Sequence, residues 1–330
     1  VTLYDNHGRP LNYLRLAVTD RCNLRCFYCM PEDGIRYLPK KDLLSFEEIG
    51  RLISILATLG ISKVRLTGGE PFVRQDLMQL IHRITEIPGI KDLHITTNGV
   101  LTAPHIAALK KAGIGSVNLS LDTLDRDRFK AITRRDEFAP VMHTLEQLLE
   151  HDIPVKINAV VMEGKNIDDI FPLIELTRHH NVDVRFIEEM PFNGEGNHYP
   201  TLHWTYTRIL DYIRTQYPTL TKKIDPQGST AYSYHVPGHR GDVGVIAAFS
   251  RTFCGTCNRI RVTAQGTLKT CLYDEGVLDI RALLRNGLPD EAIQEKLLTA
   301  FHQRAKDGFE AEAHRKNHAP VSESMSTIGG

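Results

Sequence analysis

The stretch 62-SKVRLTGGEP-71 joins two kinds of sequence. In its first half, apolar Val64 and Leu66 alternate with polar Lys63, Arg65 and Thr67. A period of two is that of a β-strand with unlike faces. Its second half, Gly-Gly-Glu-Pro, ends the strand and turns the chain. The same design recurs. Expected strands are 13-YLRLAVT, 62-SKVRLT, 92-DLHITT, 115-GSVNLSL, 154-PVKINAVV and 182-VDVRFIE. Helical patterns lie between them: 45-SFEEIGRLISILATLG, 74-RQDLMQLIHRITEI, 102-TAPHIAALKKAG, 138-FAPVMHTLEQLLEHD and 167-IDDIFPLIELTRHH. Ser45 with Glu48 makes a capping box, Gly60 and Gly113 stop helices, and Thr102 with Pro104 starts one. This alternation predicts an α/β fold of parallel strands with helical crossovers, either an open doubly wound sheet or an incomplete barrel. In both, ligands bind beyond the C-terminal ends of the strands. Polar residues collect there: Thr67–Glu70, Thr96–Gly99, Ser120 with Asp122, and Glu188–Met190.

After about residue 195 the alternation stops. A helix is expected at 203-HWTYTRILDYIRTQY, then short strands and turns, then helices at 278-LDIRALLRNG and 290-DEAIQEKLLTAFHQRA. We therefore divide the chain into a 1–200 domain and a 201–330 domain that closes over the first. The polar tail from Lys316 to Gly330 reads as mobile.

The chain has 330 residues, 42% hydrophobic and 24% charged, and its 40 Lys and Arg balance its 40 Asp and Glu. That is the composition of a globular protein with a sizeable core. Zero net charge argues against a nucleic-acid track or an electrostatic membrane contact. No apolar run reaches transmembrane length, and the opening VTLYDNHGRPLNYLRLAV is polar where a signal peptide is apolar. The expectation is a soluble, cytoplasmic protein.

All six cysteines fall in two groups: Cys22, Cys26 and Cys29 (C-x3-C-x2-C), and Cys254, Cys257 and Cys271 (C-x2-C-x13-C). Core cysteines would scatter, and a disulfide scaffold would need more. Grouped thiols are metal ligands. Zinc wants a fourth protein ligand. His7 and His82 lie away from the first group in sequence, and His239 is a candidate beside the second. Three thiolates alone suit an iron–sulfur cluster with one iron left open. Within the second group, Arg259 and Arg261 alternate with Ile260 and Val262, which on a strand puts both guanidiniums on one face. Like charges side by side make a poor structural device and a good clamp for an anion. Arg15, Lys63, Arg65, Lys156 and Arg185 lie on the expected strands and add to it.

CNLRCFYC followed by GGEP resembles the radical S-adenosylmethionine (SAM) superfamily. That resemblance implies an incomplete (βα)6 barrel of the TIM type, with a C-terminal α+β extension closing its mouth. It further implies that Cys22, Cys26 and Cys29 hold a [4Fe–4S] cluster whose open iron chelates SAM, and that a 5′-deoxyadenosyl radical results. Together with KVRLTGGEP, TTNG, SLD, CNRIRVTAQGTLKTCL and the final Gly329-Gly330, the chain resembles the GTP 3′,8-cyclase family of molybdenum cofactor biosynthesis. In that family the radical takes the 3′ hydrogen of GTP, and C3′ then attacks C8. The resemblance implies a second [4Fe–4S] cluster on Cys254, Cys257 and Cys271 that receives the guanine base. It implies SAM contacts from Tyr28, Gly69, Glu70, Ser120 and Met190, with Thr97 and Asn98 nearby. It implies GTP contacts from Arg15, Lys63, Arg65, Thr96, Lys156, Arg185 and the segment Arg259, Ile260, Arg261. The final Gly329 and Gly330 are implied to enter the active site. Implied partners are a second copy in a homodimer, an electron donor, and the cyclic pyranopterin monophosphate synthase that takes the product. The competing readings are a radical SAM enzyme acting on another nucleotide or on a peptide, and a non-enzymatic iron–sulfur or zinc scaffold.

Overall fold

The computed structural model describes residues 2–194, 201–316, 321 and 323–330. A hairpin of β1 (Leu3–Tyr4) and β2 (Pro10–Leu11) opens the chain. Six strands follow: β3 (Tyr13–Ala17), β4 (Lys63–Thr67), β5 (Asp92–Thr97), β6 (Ser116–Ser120), β7 (Val155–Val161) and β8 (Val182–Glu188). Each coincides with an expected strand, and each pairs in parallel with the next. Helices return the chain between them, among them Phe46–Leu59, Leu77–Thr85, Phe138–Glu150 and Ile170–His179. The Ser45–Glu48 capping box is formed in both directions. The sequence reading missed a helix at Arg126–Thr133, whose apolar face is only Phe129 and Ile132.

The later chain adds β9 (Thr221–Lys222), β10 (Ala231–His235), β11 (Val243–Ile246), β12 (Arg259–Val262), β13 (Thr267–Lys269) and β14 (Leu278–Asp279). All but the opening hairpin join one sheet, in the order β14-β13-β12-β3-β4-β5-β6-β7-β8-β11-β10-β9. β12 runs parallel to β3 and β11 parallel to β8, so the parallel part of the sheet is wider than the six units expected. Among the described residues its two outer strands, β9 and β14, do not pair with each other, so the barrel is incomplete. The later chain thus extends both edges of the earlier sheet. The expected boundary at residue 200 falls at 195–200, outside the described residues.

The strands sort their side chains by face. Leu14, Leu16, Val64, Leu66, Ile95, Leu119, Ile157 and Val184 are buried in the core shared with the helices. Their alternates, including Arg15, Arg65, Thr96, Asn118 and Lys156, line an inner cavity. Among the described residues no helix is long and apolar enough to cross a membrane.

The Gly68-Gly69 turn locks β4 to the loop that carries the first cysteines. Val18 N–H donates to Thr67 O, Gly69 N–H to Thr19 O and Glu70 N–H to Arg21 O, at 2.9, 2.9 and 2.8 Å. A Cβ on Gly69 would lie 2.2 Å from the Arg21 carbonyl oxygen, so only glycine permits this approach. Gly69→Ala should cost about 1–3 kcal/mol of stability, the range for overpacking against atoms that cannot move aside. Denaturant titration checks this, and an unchanged midpoint would show that the two loops are not locked.

Candidate active site

A cavity of about 680 Å³ runs along the inner face of the parallel strands, from Tyr13 and Lys63 at their N-terminal ends to the loops beyond their C-terminal ends, where Cys22, Gly69 and Met190 line it. All six cysteines line it, and none is in a disulfide. Cys22, Cys26 and Cys29 lie on the loop after β3, and the Cys29 N–H donates to the Cys26 carbonyl at 2.9 Å. Cys254 starts a short turn before β12, Cys257 ends it, and Cys271 follows β13. The Asp274 carboxylate fixes the last of these by accepting from the N–H groups of Thr270 and Cys271, both at 2.8 Å. The parallel pairing of β12 with β3 brings the two groups to the same cavity.

The donor set of each group is three sulfurs, which fits an iron–sulfur group with one position left for another ligand. Burial pushes the thiol of Cys22 up to about 11 and that of Cys271 up to about 12. Cys257 differs: burial raises it too, but Arg259 and Arg304 outweigh burial and bring it to about 6. Thiols held protonated by burial become ligands when a metal displaces the proton. Among the described residues no three His, Cys, Asp or Glu side chains gather closely enough to hold a single ion. His239 is remote from the cysteines in role: its Nδ1 pairs with Thr177 Oγ1 at 2.7 Å and its ring packs on Tyr217.

The cations form a row. Arg261 is the register partner of Arg15, and Arg15 is the partner of Arg65, across three adjacent strands. Arg259, Lys63, Lys156 and Arg185 line the cavity with them. Arg65 Nε donates to Tyr13 Oη at 2.6 Å, whereas Arg15 Nε and one Arg259 Nη are buried without a partner among the described residues. Burial and then Arg261 pull the Arg15 guanidinium well below its ordinary value. Burial and then Arg259 pull Arg261 to about 10, and burial and then Arg185 pull Lys156 to about 8. Burial raises the Tyr13 phenol, but Arg65 and Arg15 outweigh it and bring the group down to about 8. His94, desolvated beside Arg65, falls to about 3 and stays neutral. Crowded buried cations of this kind are stabilised by an anion among them.

Tyr28, Gly69, Ser120, Met190 and Thr96 also line the cavity. Tyr28 Oη donates to Asp122 Oδ2 at 2.8 Å, and burial raises that carboxyl to about 6. Two expected contacts lie elsewhere. Ile260 is fully buried on the helix side of β12, as strand alternation requires. Glu70 is fully buried behind the cavity wall, where its carboxylate accepts from Asn98 N–H, Thr97 Oγ1 and Phe72 N–H at 2.7, 2.8 and 3.1 Å. Burial still raises it to about 7. Asn98 Nδ2 in turn lies 3.7 Å from Cys22 Sγ, so Glu70 acts on the cysteine loop at one remove. The sequence reading passed over Asn118 and Asn158, whose Oδ1 atoms are buried in the cavity wall without partners among the described residues. The alternation of Ser116, Asn118 and Ser120 was the available signal.

The end of the tail is packed against the cavity, where mobility was expected. Residues 317–320 and 322 are outside the described residues, but Met325–Ile328 is helical and packed. Ser324 Oγ donates to the Cys29 carbonyl at 2.6 Å, and Met325 N–H to the Phe192 carbonyl at 2.9 Å. The Gly329 carbonyl accepts from Arg261 Nη1 at 2.6 Å, and Gly330 lines the cavity. Gly329 has φ 87°, and a Cβ there would meet Thr67 Oγ1 at 2.4 Å.

The sequence matches the Radical SAM superfamily over residues 16–177 and the Molybdenum Cofactor Synthesis C family over residues 182–310. A protein of Syntrophomonas wolfei named GTP 3′,8-cyclase is 44% identical over 91% of this chain and 92% of its own length. One of that name from Chlorobaculum tepidum is 39% identical over 100% of this chain and 98% of its own. Molybdenum cofactor biosynthesis protein 1 of Bos taurus is 43% identical over 88% of this chain, but the match spans only 46% of that longer protein. Among solved structures, SuiB of Streptococcus suis bound to S-adenosylmethionine shares the fold, with TM-score 0.61, 15% identity and coverage of 87% of this chain and 69% of that one. The cofactor class is therefore SAM with iron–sulfur, and the chain belongs to the molybdenum cofactor biosynthesis family of radical SAM enzymes, to which the bacterial GTP 3′,8-cyclases belong.

Proposed function

We propose that this chain is a GTP 3′,8-cyclase with two [4Fe–4S] clusters, one on Cys22, Cys26 and Cys29 and one on Cys254, Cys257 and Cys271. The product is (8S)-3′,8-cyclo-7,8-dihydroguanosine 5′-triphosphate, an early intermediate of molybdenum cofactor biosynthesis. With a cluster held by Cys22, Cys26 and Cys29, bound SAM would supply the radical chemistry for removing the 3′ hydrogen of GTP. The observation that carries the reading is the in-register row Arg261, Arg15 and Arg65, lying in the cavity that both cysteine triads share.

The protein's own residues then divide the work. Arg15, Lys63, Arg65, Lys156, Arg185, Arg259 and Arg261 meet the triphosphate, whose charge relieves their mutual repulsion. Thr96 offers the same ligand a hydroxyl that has no partner among the described residues. Tyr28, Gly69, Ser120 and Met190 face SAM, and Glu70 supports that side through Asn98. Ile260 contributes through its backbone, since its side chain is in the core. Gly329 lies against Arg261 and the end of β4, and Gly330 lines the cavity beside Met325, so the two shape the site. The reading brings with it a homodimer, an electron donor and a cyclic pyranopterin monophosphate synthase that consumes the product.

Anaerobic reconstitution tests it. With reductant and SAM, 5′-deoxyadenosine should form only when GTP is present, and equal turnover with a peptide or another nucleotide would overturn the assignment. Arg259→Ala or Arg261→Ala should weaken GTP binding about tenfold or more, the worth of a charge-assisted hydrogen bond, while iron content stays unchanged. Loss of iron from the second triad would instead mark these arginines as structural.

A pH dependence follows from the shifted groups. Lys156 loses its positive charge and Tyr13 gains a negative one as pH rises through about 8. Both changes disfavour an anion. GTP affinity should therefore fall about tenfold between about pH 7 and about pH 9, measured by equilibrium dialysis. Lys156→Arg with Tyr13→Phe should flatten that fall.

A further inference from the structure

Beneath the second cysteine triad lies an ion cluster that the proposed activity does not use. Asp5, in the opening hairpin, holds two arginines: Arg9 Nε at 2.7 Å and Arg304 Nη1 at 2.9 Å. The side chains of Asp5, Arg9 and Arg304 are 0%, 6% and 3% exposed. A buried carboxylate with two buried guanidiniums leaves one uncompensated positive charge, and burying it is costly without a negative neighbour.

The two arginines reach every segment that carries a cysteine of this triad. Arg9 Nη1 donates to the Cys254 carbonyl at 3.1 Å. Arg304 Nη1 donates to the Cys257 carbonyl at 3.3 Å, its Nη2 to the Arg259 carbonyl at 3.1 Å, and its Nε to the Thr270 carbonyl at 3.1 Å, one residue before Cys271. Arg304 Nη2 also lies 3.8 Å from Cys257 Sγ. Arg9 further donates to the carbonyls of Ala305 and Lys306, at 2.8 and 2.6 Å, which fixes the turn that presents Arg304. Segments at residues 5–9, 254–271 and 304–306 thus meet around one carboxylate. At the first triad Arg25 Nη1 donates to the Cys22 carbonyl at 2.7 Å and the neutral Asn98 Nδ2 lies 3.7 Å from Cys22 Sγ, but among the described residues no carboxylate there holds two buried arginines.

We propose that Asp5, Arg9 and Arg304 form a buried charge clamp that positions the second cysteine triad and sets the reduction potential of the iron–sulfur group it holds. This rests on the reading above that the triad holds a cluster. Net charge and hydrogen bonds to sulfur are the means by which a protein tunes such a group. The excess positive charge favours the reduced, more negative state, so the clamp raises the potential. Arg9 and Arg304 also line the cavity, but their guanidiniums are taken up by Asp5 and by the carbonyls of the triad segments, so the three act as positioning residues.

The sign of the charge provides the test. The full chain carrying Cys22→Ala, Cys26→Ala and Cys29→Ala is reconstituted anaerobically, so that only the second site can load. Iron content and a redox titration followed by electron paramagnetic resonance are then measured. If this chain with an intact clamp binds no iron, the two-cluster reading fails, whatever the clamp does. With iron bound, Arg304→Gln should shift the potential negative and Asp5→Asn should shift it positive. Arg304→Lys, which keeps charge and loses the fork, should hold the potential while lowering iron content. A role in packing alone would not reverse sign between the first two variants. Where Arg304→Gln no longer folds, judged by circular dichroism, Asp5→Asn and Arg304→Lys decide. Iron lost from a folded Arg304→Gln chain of this background, with iron kept at the first triad when Cys22, Cys26 and Cys29 are restored, supports the clamp. Unchanged potential and resonance signal in the loaded variants would overturn it.

Discussion

Strand β12 lies parallel to β3 with Arg261 beside Arg15, and the whole site depends on that register. It carries Cys254 and Cys257 to the sheet edge nearest the loop of Cys22, Cys26 and Cys29. It turns Arg259 and Arg261 inward and Ile260 and Val262 into the core. A slip of one residue would exchange these faces, burying guanidiniums among the helices and exposing apolar groups to the cavity. The hydrophobic cost of that exchange holds the cations where their repulsion alone would not.

A cavity lined by buried like charges stores unfavourable energy until an anion arrives. Arg15, crowded by Arg261 and desolvated, is the clearest case. The depressed Lys156 and Tyr13 report the same field from two sides, one a cation discouraged and the other a phenol encouraged to ionise. The Gly329 carbonyl on Arg261 meets part of that demand from within the chain. Nearby, Gly68 and Gly69 allow the β4 turn to lie against the first cysteine loop, so the two sides of the cavity share backbone hydrogen bonds.

Much of this was legible in one dimension. Period-two alternation gave the six strands β3 to β8, because the inner face of each must differ from its helix face. Cysteine spacing marked the two triads, and RIR marked a cationic strand face. Glu70 shows the limit. Its motif points to a ligand contact, yet the side chain turns away from the cavity and supports Asn98 instead. The tail shows another: its polar composition reads as mobile, whereas Ser324, Met325 and Gly329 find backbone and arginine partners far away in sequence.

The sequence by itself determined the local periods, the caps, the glycine turns and the sulfur donor sets, because each depends on residues within a few positions of one another. The tertiary structure alone decided that β11 and β12 extend the parallel sheet at both edges, that six thiols face one cavity, and that Asp5 joins Arg9 to Arg304 beneath the second triad. Apart from the local Asp5–Arg9 pair, those contacts join distant parts of the chain, Asp5 and Arg304 being 299 positions apart. They form because burying the shared core leaves each charge within it only one set of partners.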